Sequence, residues 1–163
     1  MGQQQLLLVI LVTIIVGIAT VVAINTFGAA ADSANVDAVR QDLASIGAAA
    51  QGFYMKPAML GGGGRTFDGS SSDAASEITF NDIAFGATVL TETTQARNDN
   101  GEYEIISTSP DDMVLHALPS SGGSIAARVC PDRIVMGDYN VDGETPPAPN
   151  TCDGEAAQEA GGE

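Results

Sequence analysis

Hydrophobic and polar positions fall into three regimes along the chain. Residues 6–24 read LLLVILVTIIVGIATVVAI, with Thr13, Gly17 and Thr20 as the interruptions. Wound as a helix, this run leaves no polar stripe for water. About 19 residues at a rise of ~1.5 Å span roughly 28 Å, close to the hydrocarbon thickness of a bilayer. The pattern predicts a helix that has lipid as its solvent at some stage. Leu6, Leu7, Leu8, Val9, Ile10, Leu11, Val12, Ile14, Ile15, Val16, Ile18, Val21, Val22 and Ile24 carry its apolar surface.

Beyond Gly28 the chain turns alanine-rich and amphipathic. Val36, Val39, Leu43, Ile46, Ala50 and Phe53 recur at alternating steps of three and four, which is one helical stripe suited to packing on a domain. Asp37, Arg40, Gln41, Asp42 and Ser45 lie off the stripe, facing water or a partner. Lys56 is placed in the last turn, favourable to the helix dipole, and Pro57 with the glycines at 61–64 ends the element. Unbroken from residue 3 to residue 56, the helix would be about 80 Å long. The alternative is a hinge near Gly28 and a second helix capped by Asp32 or Ser33.

The third regime alternates with period two. Strands are expected at residues 78–85, 88–95, 102–108, 113–118, 125–130 and 133–139, with Tyr103, Ile105 and Ser107 sharing a face. Asn100-Gly101 signals a hairpin, and Pro110-Asp111-Asp112 and Pro131-Asp132 mark further turns. Short strands and tight turns predict an antiparallel meander, one face on the Val36–Phe53 stripe and the other toward water. The fold class is therefore α+β, a long N-terminal helix on a small antiparallel sheet. Five segments follow: an apolar half-helix (1–31), an amphipathic half-helix (32–56), a Gly/Ser-rich connection (57–76), a β domain (77–154) and an acidic tail (155–163).

Charge sharpens this division. The chain has 163 residues and a net charge of −15, from 21 acidic and 6 basic residues. All acidic residues except Asp32, Asp37 and Asp42 lie beyond Lys56, the sole lysine. This halophile-like composition tolerates strong salt, although an ordinary exported acidic protein could share it. It argues against nucleic acid as a partner. An exported domain meets an oxidising compartment, so Cys130 and Cys152 read as one disulfide, with two free thiols as the alternative.

Signals of chemistry are sparse. Asp138-Tyr139-Asn140-Val141-Asp142-Gly143 matches the start of a calcium loop, with Asp138, Asn140 and Asp142 as candidate ligands for Ca2+ and Glu144 or Asp153 to complete it. The twelfth position is Pro149, so the EF-hand pattern is not met, and a plain polar turn explains the same residues. The glycines at 61–64 lack the Lys-Ser/Thr of a phosphate loop. His116 has no nucleophile or metal partner in the pattern. No enzymatic activity is expected.

A long helix with an uncharged apolar first half, an amphipathic second half, a small antiparallel sheet and a C-terminal Cys130/Cys152 loop resembles the type IV pilin superfamily, as a divergent pilin or pseudopilin. The resemblance implies a peptidase cut after Gly2, leaving Gln3 as the first mature residue. Its leader would be Met1-Gly2, and Leu7 stands where bacterial members carry a Glu. The implied function is a structural subunit of an extracellular pilus-like filament, made from an inner-membrane precursor. The implied partners are further copies of the chain, a prepilin peptidase and the pilus assembly machinery. Two other readings stay open: a membrane-anchored monomeric surface or periplasmic binding domain, and a secreted domain cut between Ala31 and Asp32.

Overall fold

The computed structural model describes residues 2–68, 78–142 and 149–152. It contains one long α-helix, α1 (Gly2–Met55), a short 3-10 helix (Ala58–Leu60) and six strands. These are β1 (Thr88–Val89), β2 (Gln95–Arg97), β3 (Gly101–Thr108), β4 (Met113–Pro119), β5 (Ser124–Val129) and β6 (Ile134–Asn140). The strands form one antiparallel sheet in the order β1-β2-β3-β4-β5-β6, so every neighbour in space is a neighbour in sequence. The α+β arrangement is thus present. The helix assignment is continuous through Gly17 and Gly28.

The chain divides into two compact units, Met1–Ala34 and Asn35–Glu163. The first is helix alone. In the second, Val39, Leu43, Ile46, Ala50 and Phe53 join one buried core with Tyr103, Ile105, Met113, Leu115, Ala117, Ile125, Ala127 and Val129 from the sheet. Val36 packs at its edge. The helix ends at Met55, so its last turn holds no basic residue and Lys56 falls just outside. The Lys56 N–H still donates to the Gly52 carbonyl at 3.1 Å, while Pro57 lacks the N–H needed to continue the ladder.

Several strand expectations need correction. Residues 78–85 form no strand: the chain turns at 80–82, where Asp82 accepts from both the backbone N–H and the hydroxyl of Thr79 at 3.1 and 2.7 Å. Ile78, Phe80 and Ile83 still reach the core from this irregular segment. The stretch expected as one strand at 88–95 is a hairpin: Leu90 N–H donates to the Gln95 carbonyl and Gln95 N–H to that of Glu92. Ser107 does not share the face of Tyr103 and Ile105, since a register shift between Ile105 and Ser107 exposes it.

The hairpin at Asn100-Gly101 closes one residue earlier than its signal suggests. Asn98 N–H donates to the Gly101 carbonyl, and the Asn98 side-chain oxygen accepts from the N–H groups of Asn100 and Gly101. Gly101 serves close approach: a Cβ there would lie 2.3 Å from the Leu118 carbonyl oxygen. The sheet's second face is also less watery than expected. Val114, His116 and Ala126 are buried although they alternate with the core-facing positions of β4 and β5.

Leu43 is fully buried at the helix–sheet junction. Leu43→Ala should lower unfolding free energy by about 2–5 kcal/mol. Exposed Ser45→Ala should stay within about 0.5 kcal/mol. Chemical denaturation with fixed slope checks both.

Candidate functional site

Among the described residues the most unusual surface is the apolar half-helix. Its large side chains are open to solvent, from 46% exposed at Ile10 to 76% at Phe27. No residue in the most apolar 18-residue window of α1 is buried, and the helix is long and apolar enough to cross a membrane. A core helix in a water-soluble domain would be covered; an uncovered apolar helix near the N-terminus has the length and composition of a membrane anchor or a signal.

The few hydroxyls in this surface are already satisfied. Thr13 donates to the Ile10 carbonyl at 2.8 Å, Thr20 to Val16 at 2.8 Å, Thr26 to Val22 at 2.9 Å and Ser33 to Ala29 at 3.0 Å. These intrahelical bonds leave no hydroxyl donor of Thr13, Thr20 or Thr26 without a partner on the apolar surface. Gly2 and Gln3 lie in the first turn of α1 and are exposed. Met1 is outside the described residues.

The second unit is tied together by polar contacts that the sequence pattern left unassigned. One oxygen of Asp42, Oδ2, accepts from Asn98 Nδ2 at 2.8 Å, Asn100 Nδ2 at 2.8 Å and the Tyr103 hydroxyl at 2.6 Å. The sequence pattern turns Asp42 to water or a partner; its partners are the chain's own β2–β3 turn and Tyr103 of β3. Burial alone would raise the Asp42 pKa, but the hydrogen bonds from Asn100, Tyr103 and Asn98 outweigh it and hold the carboxyl below its ordinary value. Burial, and then the bond to Asp42, push the Tyr103 phenol well above its usual range. Asn35 completes this end, donating to the Asn100 carbonyl at 3.0 Å and accepting from the N–H and hydroxyl of Ser121.

The far end of the helix is held by Gln51, whose Nε2 donates to the Cys130 carbonyl at 2.8 Å. Cys130 and Cys152 form a disulfide with Cα atoms 5.7 Å apart. Arg128 pairs with Asp112 and donates through Nε to the Pro149 carbonyl at 3.0 Å. Residue 149 thereby approaches the face of the sheet that Arg128 occupies.

The described part of the calcium pattern ends at Asp142. Asp138 and Asn140 sit in β6, and the Asn140 side-chain oxygen accepts from the Asp142 N–H at 3.0 Å, an ordinary polar turn. Gly143, Glu144 and Asp153 lie outside the described residues, as do the acidic tail and residues 69–76 of the Gly/Ser-rich connection. No group of three or more His, Cys, Asp or Glu side chains suited to a metal occurs among the described residues. His116 lines a small cavity of about 50 Å³ with Gln95, Glu102, Tyr103, Glu104 and Leu118. Its Nε2 is buried without a hydrogen-bond partner, and burial lowers its pKa against the opposing charge of Glu104.

No family model, curated protein or solved structure matches the chain.

Because the folded Asp42 pKa lies below its unfolded value, its contribution to stability is complete above the unfolded value near 3.8 and disappears as pH falls through the folded one. Asp42→Asn should weaken the fold at neutral pH and flatten this acid limb, as thermal melts across pH 2–7 will record. Reduction of Cys130–Cys152 should cost roughly 3 kcal/mol by loop-closure entropy. Paired denaturation curves with and without reductant measure that loss.

Proposed function

We propose that this chain is a structural subunit of an extracellular pilus-like filament, a divergent relative of type IV pilins. The observation that carries the reading is the uncovered apolar surface of residues 6–24 on a helix whose following turns belong to a folded acidic domain. Before assembly the half-helix rests in the inner membrane, released from its short leader by a peptidase acting after Gly2. It leaves lipid when equivalent half-helices of other copies replace the hydrocarbon around it.

That exchange gains less than transfer from water, since lipid tails are as apolar as leucine. Close packing must supply the difference. Gly28, Ala29, Ala30, Ala31 and Ala34 permit near approach of neighbouring helices, and the back-bonded threonines leave no polar debt against it. A heterologous contact repeated without closure gives a helical polymer. The acidic domain forms the outer sheath, where its net negative charge limits sideways aggregation. The assembly machinery drives the transfer, and the chain itself performs no catalysis.

Electron microscopy of sheared surface material, with peptide mass spectrometry, tests the proposal. Filaments built of this chain and beginning at Gln3 are expected. Recovery of the chain as a membrane-bound monomer, with no filaments, would replace the proposal by an anchored surface domain. A soluble form starting at Asp32 would replace both.

A further inference from the structure

Besides signalling a hairpin, Asn100-Gly101 carries a chemistry of its own. The backbone nitrogen of the residue after an asparagine can attack the side-chain amide carbon and close a cyclic imide. A side chain on that following residue hinders the attack, and glycine has none. Packing calls for the glycine here, since a Cβ on Gly101 would lie 2.3 Å from the Leu118 carbonyl oxygen. The fold thus sets the least hindered neighbour after Asn100, at a position where a side chain does not fit.

The folded chain restrains every group that this attack would use. The nucleophile is the Gly101 nitrogen, and its N–H donates to Asn98 Oδ1 at 3.1 Å. The carbonyl of the same peptide unit, that of Asn100, accepts from the Ser120 N–H at 2.9 Å and from Asn35 Nδ2 at 3.0 Å. The leaving group would be Asn100 Nδ2, which donates to Asp42 Oδ2 at 2.8 Å. Asp42 Oδ2 also accepts from Asn98 Nδ2 at 2.8 Å and so orients the side chain that holds the Gly101 N–H. One carboxylate oxygen on α1 therefore governs both ends of the reaction. Ring closure must turn the Asn100–Gly101 peptide, which breaks these bonds together.

We propose that Asn100 is a self-modification site, kept unreactive by Asp42 and Asn98 and released when the β2–β3 turn opens from the helix. In the open turn the Gly101 N–H gives its proton to a solvent base and the nitrogen bonds Asn100 Cγ. The Cγ–Nδ2 bond breaks, and the nitrogen takes a proton from water and departs as ammonia. Water then opens the imide at either carbonyl, leaving an aspartyl or an isoaspartyl residue; nothing is oxidised or reduced. The aspartyl product sets a carboxylate against Asp42 Oδ2 in place of a donor. The isoaspartyl product lengthens the backbone beside the pairing of Gly101 with Pro119. Either product weakens the clasp that had prevented the reaction, so opening becomes one-way. The chemistry needs neither a second copy nor a membrane and is independent of filament assembly.

Peptide mass spectrometry of the full chain in detergent, held in mildly alkaline buffer below its melting temperature, follows loss of the Asn100 amide with time. The native chain should lose it about tenfold more slowly, or slower still, than the same chain unfolded in urea. Asp42→Ala and Asn98→Ala should each speed the native reaction by about tenfold. Asn98→Ala leaves the bonds from Asn100 and Tyr103 to Asp42 in place, so it keeps the test open if Asp42→Ala unfolds. Melts run on each variant establish that the reacting chain is folded. Asn100→Ser should show no mass gain in the same peptide, and Asn100→Asp should melt below wild type. Equal rates in native and urea-unfolded wild type, or no acceleration in a folded Asp42 or Asn98 variant, would overturn the proposal. An Asn100→Asp chain that melts with wild type would overturn its one-way character.

Discussion

The uncovered hydrocarbon of the leading half-helix is the constraint to which the rest of the molecule answers. Its leucines, valines and isoleucines are at least 46% exposed, and no element of the first unit is available to shield them. Water is an unfavourable surrounding for such a surface, and lipid or like helices are favourable ones. The intrahelical bonding of Thr13, Thr20 and Thr26 fits both alternatives, because it removes the polar groups that either would have to accommodate.

The second unit uses a different solution to the same helical geometry. Its stripe from Val36 to Phe53 is covered by the sheet, and the polar flank beside the stripe is pinned at both ends. Asp42 and Asn35 fix the turns near residues 98–101 and 120–121, while Gln51 fixes the carbonyl next to the disulfide. Apolar burial supplies the non-directional attraction, and these bonds select which turn sits against which part of the helix. An Asp carboxylate with three neutral donors is well suited to this role, since it keeps its charge without needing a cation.

Much of this was legible in the sequence, and the limits have physical causes. The apolar run and the three-four stripe are long periodic signals, so the helix and its buried face could be read directly from residues such as Leu43 and Ile46. The strands at 101–108, 113–119, 124–129 and 134–140 were close to their expected positions because tight-turn residues bracket them. Residues 78–85 misled because Ile78, Phe80 and Ile83 are apolar for burial as a loop, while Asp82 bends the backbone by binding Thr79. The Asp42 cluster was invisible because its members are some 56 to 61 residues apart and each looks like an ordinary surface or turn residue alone. Residues 55–60 carry no periodic signal at all; their exposure emerges only once Pro57 and the glycines have ended the helix.

The strictly sequential order of the six strands has a consequence for how the domain reaches its native state. Each ladder joins segments separated by one short connection, so pairing closes small loops and contact order within the sheet stays low. Chains of that kind zip up quickly compared with sheets that need distant segments to meet. Rapid local pairing shortens the time during which unpaired strand edges are open to neighbouring chains.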